Sequence, residues 1–297
     1  MTLHTRSASP EAVRFHYDLG NAFYKLWLDS SMTYSCALFT DGEDGISLET
    51  AQMRKLDYHA TLSSASGKQR VLDIGCGWGA MLNRLVSHHG VLHGVGLTLS
   101  EAQAFWIREG NDPRIEVRVE NWHDHEPDQL YDAIVSIGAI EHFARPGLSE
   151  QEKIGVYRSF FERCHSWLGP GGRVSIQTIA YGNAGSEDLD EFIVTQIFPE
   201  SDLPRLTEIS AASERRFEIL SVVNERDQYV KTLRAWLSRF RQRKAEAVNL
   251  VGEEAVSRYE QYLQLSIFMF ASGNCDLLRI ALRRIDHPRL SFKTKKP

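Results

Sequence analysis

The sequence predicts an α/β fold: a Rossmann-like, doubly wound, mostly parallel sheet of seven strands, with a helical N-terminal cover and a helical insertion. Short apolar runs alternate with helical patterns along residues 70–179, and this alternation is typical of βαβ units in a parallel sheet. The run at 131–137 is largely apolar, as expected of a strand that is buried on both faces.

The helical cover comes first in the chain. Residues 11–29 are predicted to form a helix, with Ser9 as its cap and Pro10 in its first turn, and residues 48–63 form a second helix. The aromatic side chains of the first helix fit core packing and a substrate wall equally well, because they spread over more than one helix face. They are Phe15, Tyr17, Phe23, Tyr24 and Trp27.

Seven segments have the apolar pattern of strands, and helical patterns separate most of them. The predicted strands are 70–74, 91–97, 114–119, 131–137, 173–179, 216–223 and 276–282. The predicted helices between and after them are 80–89, 101–109, 151–168, 228–248 and 253–271. Residues 181–213 interrupt the alternation, which indicates an inserted, lid-like segment.

The length of 297 residues is compatible with one large domain. We expect a single domain with a helical cover (1–66), a cofactor-binding core (67–180), the insertion (181–213) and C-terminal strands and helices (214–297). An apolar share of 42% and a charged share of 25% exclude a disordered or fibrous chain. The formal net charge of −5 argues against a nucleic-acid partner, but it is compatible with a local basic face and peripheral membrane contact.

The cysteines at positions 36, 76, 164 and 275 are far apart and form no C-x-x-C pair. This spacing excludes a zinc ribbon and a thioredoxin-type motif, and no metal site is predicted. Reduced thiols in a chain of this size indicate a cytoplasmic location. The polar N-terminus predicts no signal peptide, and no stretch approaches the ~18 apolar residues of a membrane span.

A glycine-rich turn follows the first predicted strand and opens a helix. Gly75 and Gly77 allow a ligand to approach the backbone closely, and the helix start offers unpaired N–H groups. The spacing G-x-G-x-G differs from the G-x-G-x-x-G of dinucleotide-binding proteins.

Two further features of this region argue against a nicotinamide cofactor. Asp73 directly precedes the turn, where its carboxylate would crowd a pyrophosphate but would suit a cationic ligand. The acid that dinucleotide-binding proteins carry about 20 residues further on is missing from residues 94–98. The pattern therefore favours S-adenosylmethionine, a sulfonium cation without phosphates, and leaves a purely structural turn as the alternative.

Residues 73–79 and 96–103 resemble the cofactor site of class I S-adenosylmethionine methyltransferases. More narrowly, the sequence resembles the cyclopropane-fatty-acid synthase and mycolic acid cyclopropane synthase family. Five more segments resemble motifs of this family in order along the chain: 16–21, 29–37, 136–143, 197–204 and 227–233. The Tyr-Ser-Cys sequence within 29–37 is the most specific of these motifs.

The resemblance implies methyl transfer from S-adenosylmethionine to an unsaturated carbon of a hydrophobic acceptor, a lipid-like molecule or a carrier-bound acyl chain. A cyclopropane would follow by bicarbonate-assisted loss of a proton. The family's holders of bicarbonate correspond here to Glu141 and Tyr229, together with Cys36 and Ile179 through their backbone groups.

The resemblance also implies a set of cofactor contacts. Tyr34 and Ser35 would lie near the methionine end, and Gly75 and Gly77 beneath it, after Asp73. The contacts to the ribose would come from Thr98 and Gln103, and those to the adenine from Trp122 and His123.

Gln177 departs from the family pattern, which usually has histidine at this position. Glutamine donates hydrogen bonds but does not titrate near neutral pH, so a proton-relay role for that histidine is absent. This departure favours an alternative function: a C- or N-methyltransferase of a natural-product intermediate, without ring closure. A protein that binds the cofactor without transferring a methyl group is a further alternative, which the presence of Glu141 disfavours.

Overall fold

A seven-stranded sheet forms the centre of the protein. In a computed structural model, residues 19–39, 45–188, 192 and 201–287 are described. The strands are β1 (Arg70–Ile74), β2 (His93–Thr98), β3 (Ile115–Val119), β4 (Tyr131–Ile137), β5 (Leu168–Tyr181), β6 (Phe217–Asn224) and β7 (Cys275–Arg284). Their spatial order is β3-β2-β1-β4-β5-β7-β6, which confirms the predicted fold class.

The strands that follow β1 in the chain lie on both sides of it: β2 and β3 on one side, and β4 and β5 on the other. The change of side beside β1 positions the site. Strands β1 to β5 are parallel, whereas β7 runs antiparallel to both of its neighbours, β5 and β6. Ile74 at the end of β1 lies opposite Leu97 of β2 and Ser136 of β4. The loops that follow these three strands therefore leave one edge of the sheet together, and in open α/β sheets ligands bind in the crevice at such an edge.

The described helices cover the sheet and its carboxyl edge. They are α1 (Asn21–Tyr24), α2 (Leu48–Leu62), α3 (Ala80–His88), α4 (Glu101–Glu109), α5 (Glu150–Trp167), α6 (Leu206–Ser213), α7 (Arg226–Gln242), α8 (Lys244–Val251) and α9 (Glu253–Ala271). The prediction of one helix over 228–248 is wrong, because Arg243 leaves helical geometry (φ −108°, ψ 19°) and separates α7 from α8. Among the described helices, none combines the length and the apolar composition that crossing a bilayer requires.

The predicted helix over 11–29 is also wrong in its described part. Residues 11–18 lie outside the described residues, and α1 ends at Tyr24. The Asp29 carboxylate accepts the backbone N–H groups of Ser31 and Thr33, each at 3.0 Å. Such a side-chain-to-backbone bond competes with helix formation, and it folds residues 29–37 into the loop that reaches the site.

The aromatic side chains after position 20 form core rather than a substrate wall. Phe23, Tyr24 and Trp27 are completely buried. Trp27 packs edge-on against Trp236 of α7 at a ring-centroid distance of 5.7 Å, and Phe23 packs in the same way against Tyr259 of α9 at 5.0 Å. The cover is thereby fixed to the C-terminal helices. Phe15 and Tyr17 lie outside the described residues.

The described end of the insertion is anchored by a buried ion cluster. The Lys153 Nζ atom of α5 lies 3.0 Å from an Asp202 carboxylate oxygen and 3.4 Å from one of Glu208, and it donates to the carbonyl oxygen of Leu203 at 2.7 Å. These contacts hold residues 201–208 above the carboxyl edge of the sheet. The role of the insertion as a lid stays a prediction, and residues 197–200 of the predicted motif lie outside the described part.

Candidate active site

Two adjoining cavities open at the carboxyl edge of the sheet. The first cavity lies above the ends of β1, β2 and β4, and eight of the nine predicted cofactor residues line it. These are Tyr34, Ser35, Asp73, Gly75, Gly77, Thr98, Gln103 and Trp122. His123, the ninth, stacks on the Trp122 ring with centroids 3.6 Å apart.

The glycine turn forms the floor of the first cavity. Gly75 has a φ of +78°, which is unfavourable for residues with side chains. A Cβ atom at this position would lie 2.6 Å from the Cβ of Ala139, which lines the cavity from the loop after β4. The close approach of the two loops therefore requires glycine here.

The segment after β2 presents neutral polar groups where a dinucleotide site would have an acid. The Thr98 hydroxyl donates to Gln103 Oε1 at 2.7 Å, and the N–H of Ser100 donates to the Thr98 hydroxyl at 3.1 Å. The Gln103 amide oxygen thus already accepts a hydrogen bond, and the amide nitrogen carries the hydrogens that Gln103 can donate. An amide donor suits the hydroxyl oxygens of a ribose.

The loop 29–37 completes the first cavity from above. The Lys55 ammonium of α2 donates to the Ser35 hydroxyl at 2.8 Å, and Gln52 donates to the Ser35 carbonyl oxygen at 2.9 Å. Burial lowers the pKa of Lys55 to about 7. Burial also raises the pKa of the Asp73 carboxyl to about 7. The first cavity thus contains two buried groups that titrate near neutral pH.

Glu141 lies in the second cavity, in a single helical turn just after β4. Its Oε1 atom accepts the backbone N–H of Ile179 at 2.7 Å. Its Oε2 atom is buried and meets no hydrogen-bond donor among the described residues. Burial raises the pKa of this carboxyl from its ordinary value of 4.5 to about 7. One carboxyl oxygen is therefore available for a ligand.

The other predicted catalytic residues gather around the second cavity. Gln177, Ile179 and Tyr229 line it together with Glu141. Cys36 is completely buried beside it, and its carbonyl oxygen accepts from the Gln177 amide at 3.4 Å. Burial raises the pKa of the Cys36 thiol to about 12, so this thiol does not act as a nucleophile near neutral pH.

Aromatic and aliphatic side chains form most of the remaining wall of the second cavity, to which Ser35, Ser201 and Ser266 also contribute. The Tyr229 and Phe270 rings pack with centroids 4.6 Å apart, and the Tyr34 hydroxyl donates to the Tyr262 hydroxyl at 3.2 Å. Leu233, Met269 and Leu277 add apolar surface. A cavity with these walls and a single buried carboxyl suits a hydrophobic ligand.

The two cavities share part of their walls. Tyr34, Ser35, Gly138 and His142 line both of them. His142 contacts the Ser201 hydroxyl at 2.8 Å, and burial lowers its pKa to about 4, so the ring is neutral near pH 7. Because the cavities adjoin, a group held in the first can react with a molecule held in the second.

Glu141→Gln is expected to stabilise the folded protein at alkaline pH. The raised pKa means that the stability associated with the neutral carboxyl is complete below 4.5 and is lost as the pH rises through about 7. A shift of this size corresponds to about 3 kcal/mol. The amide does not titrate, so the variant should gain free energy of unfolding relative to the wild type at about pH 8, and much less at about pH 5. Urea unfolding at both pH values measures this difference, and a difference that is independent of pH would contradict it.

Comparisons with known proteins agree with this geometry. The sequence profile of the mycolic acid cyclopropane synthetase family matches residues 4–280. Cyclopropane mycolic acid synthase 2 of Mycobacterium tuberculosis (strain CDC 1551 / Oshkosh) is 34% identical over 293 residues, which cover 92% of this chain and 94% of the relative. The chain belongs to this family.

Solved structures of the family share the fold. The cyclopropane synthase MmaA2 from Mycobacterium tuberculosis superposes with a TM-score of 0.83 at 30% identity, covering 94% of this chain and 99% of that one. The mycolic acid cyclopropane synthase CmaA1, complexed with SAH and CTAB, has the same TM-score at 33% identity and the same coverage. The present chain, as a member of this family, is an S-adenosylmethionine-dependent methyltransferase.

Several polar residues at the site were not predicted from the sequence. Lys55 and His59 lie one turn apart on α2, and both are buried at the site. Arg279 is completely buried in the middle of β7, where it pairs with Glu225. The available signal was an arginine within the apolar strand 276–282, since a buried charge requires a partner.

Proposed function

We propose that this methyltransferase transfers the methyl group to an unsaturated carbon of a lipid-like or acyl acceptor and then closes a cyclopropane ring. The observation that carries this proposal is the Glu141 carboxyl: buried, with its Oε2 atom available, in an apolar cavity that adjoins the first cavity. Addition of a methyl group to an isolated alkene leaves a carbocation. Closing a ring then requires a base that waits in an otherwise apolar space.

The acceptor class follows from the walls of the second cavity. The described lining is mainly apolar and aromatic, with Glu141 as its carboxyl group and a few neutral polar side chains, which suits a hydrocarbon chain better than a charged amine or a sugar. The CmaA1 structure holds CTAB, a lipid-like detergent, together with SAH, and this supports the same class of acceptor here. The second cavity would bind the unsaturated part of the chain, whether the acceptor is free, carrier-bound or in a membrane.

The residues of the first cavity would orient the methyl donor. S-adenosylmethionine supplies an electrophilic methyl group when bound. Tyr34 and Ser35 belong to both cavities, so they would hold the donor's reactive end against the alkene, and positioning of this kind lowers a barrier by several kcal/mol. The rings of Tyr229 and Phe270 would stabilise the developing carbocation, by about 2 kcal/mol for a desolvated ring.

Bicarbonate fits the polar part of the second cavity. The Oε2 atom of Glu141 can accept a hydrogen bond from the ion's hydroxyl group, and the Gln177 amide and the Tyr229 hydroxyl can donate to its other oxygens. Ile179 and Cys36 would contribute backbone groups. When bound, the ion supplies a base for the proton that ring closure releases.

Methyl transfer without ring closure, on a natural-product intermediate, is the second candidate. Gln177 favours it, because a neutral amide cannot relay the released proton. The two candidates differ in their need for the anion: a nucleophilic acceptor that closes no ring requires no base beside Glu141.

Bicarbonate dependence tests the proposal directly. The purified protein would be incubated with methyl-labelled S-adenosylmethionine and vesicles of an oleoyl phospholipid in CO₂-free buffer, with and without added bicarbonate. We expect incorporation of label into lipid to rise at least about tenfold with bicarbonate. Label in lipid at the same rate without the anion would contradict its role, and absence of label from all lipid and acyl acceptors would contradict the acceptor class.

We also propose that the protein acts in the cytoplasm, in peripheral contact with membranes if the acceptor is a phospholipid. The four cysteines are all buried and free, as is usual in a reducing compartment.

A further inference from the structure

Arg279 lies directly behind the second cavity. It is completely buried, and the register of β5 and β7 sets it opposite Gln177. Its Nε atom donates to Gln177 Oε1 at 2.9 Å, and one of its terminal nitrogens donates to the carbonyl oxygen of Ala37 at 3.0 Å. The other terminal nitrogen pairs with Glu225. The guanidinium thus joins β5, the residue that follows β6 and the loop 29–37.

A second group holds the same amide oxygen. His59 Nε2 lies 3.3 Å from Gln177 Oε1, and His59 Nδ1 lies 2.7 Å from the Ser175 hydroxyl. Burial keeps the pKa of His59 well below its usual value, so the ring is neutral and has one N–H. The Ser175 hydroxyl can donate to Nδ1, which leaves the hydrogen on Nε2 to donate to Gln177.

These contacts determine which way the Gln177 amide faces. The oxygen accepts from Arg279 and is within reach of His59. If the amide were turned over, its nitrogen would face these two donors, and no group there could accept a hydrogen bond. The nitrogen donates to the Cys36 carbonyl oxygen at 3.4 Å. An amide nitrogen carries two hydrogens, and Gln177 lines the second cavity, so the second hydrogen is available to a ligand there.

We propose that Arg279 is a positioning residue: it fixes the Gln177 amide with its nitrogen toward the second cavity, where Gln177 donates a hydrogen bond to the bound anion. This inference rests on the proposed function, which sets bicarbonate beside Glu141. The anion's negative charge then has a fixed neutral donor opposite the carboxyl group. The positive charge of Arg279 is balanced by Glu225, so it does not bind the anion in place of Gln177.

Bicarbonate affinity of matched variants tests this role. The SAH-loaded protein would be titrated with carbon-13-labelled bicarbonate, and the line width of the ion's NMR signal would give its dissociation constant without any acceptor. We expect Q177L and R279M each to raise this constant about tenfold. The double variant Q177L/R279M should have a dissociation constant for bicarbonate no higher than that of the weaker-binding single variant, because Arg279 acts through Gln177. R279K, which keeps the charge but replaces the planar guanidinium by a single ammonium group, should restore part of the affinity.

Controls separate positioning from folding. R283M changes an exposed arginine of the same strand that pairs with Glu218, and it should leave bicarbonate affinity unchanged. SAH affinity should stay at the wild-type value in every variant, because neither Gln177 nor Arg279 lines the first cavity. If R279M does not fold with Glu225 unpaired, the double variant E225Q/R279M removes both charges together.

Each outcome bears on a different claim. Wild-type affinity for bicarbonate in folded R279M would overturn the inference alone. Additive losses in Q177L and R279M would also overturn it, since Arg279 would then act independently of Gln177. Absence of saturable bicarbonate binding to the wild type would overturn both the inference and the anion's part in the proposed function, whereas methyl transfer to lipid would stand as a separate result.

Discussion

Replacing Glu141 by glutamine is expected to lower the rate of product formation about a thousandfold, a loss typical of removing acid–base catalysis, because the base proposed for ring closure would lose its holder. Glutamine keeps the size of the side chain and can still accept the N–H of Ile179, which Glu141 Oε1 accepts at 2.7 Å. It replaces the available Oε2 atom by an amide donor, so the anion loses the acceptor for its hydroxyl group. Label transfer from methyl-labelled S-adenosylmethionine measures the loss.

The affinity for SAH should be unchanged in this variant, because Glu141 lines the second cavity and not the first. Glu126→Gln is the matched control: it makes the same change at an exposed carboxylate that pairs with Arg163, and it should have wild-type activity. A rate within about threefold of the wild type in Glu141→Gln would contradict the role of this carboxyl in holding the base.

Gly75→Ala should weaken the affinity for SAH about a hundredfold, since it combines a strained backbone with an overpacked contact. The φ of +78° disfavours any side chain, and the new Cβ atom would lie 2.6 Å from Ala139 Cβ. The two loops that line the first cavity must therefore move apart. Isothermal titration with SAH measures the change.

Gly67→Ala separates the two causes of that loss. Gly67 has a similar φ of +70°, but no described atom lies within 4 Å of the position that a Cβ would take there, and it precedes β1 outside both cavities. This control should lower the thermal midpoint slightly and leave SAH affinity at the wild-type value. If Gly75→Ala bound SAH as tightly as the control, the turn would not be part of the cofactor site.

The sheet was predictable because its strands are continuous in sequence and strongly apolar. The helix 253–271 and the strand 131–137 were predicted with their observed bounds. The antiparallel insertion of β7 between β5 and β6 was not predicted, because the pattern of a strand gives neither its direction nor its neighbours. The end of α1 at Tyr24 was missed because the aromatic pattern continues to Trp27, although residues 25–27 form turns.

The site was predictable only where its residues form local motifs. Residues 29–37, 73–79 and 136–143 supply most of the residues that line the first cavity, whereas most residues of the second cavity come from other parts of the chain. Arg279 contacts Gln177 across 102 positions of the chain and Ala37 across 242. No short pattern marks such a contact, and the buried network behind Gln177 emerged only from the fold.

The most direct test of the central claim uses S-adenosylmethionine with a trideuterated methyl group and an oleoyl phospholipid. Ring closure removes one hydrogen isotope from the transferred methyl group. We therefore expect a product that keeps two of the three deuteriums and has lost its double bond. A product that keeps all three deuteriums would contradict ring closure and would identify methyl transfer alone as the reaction.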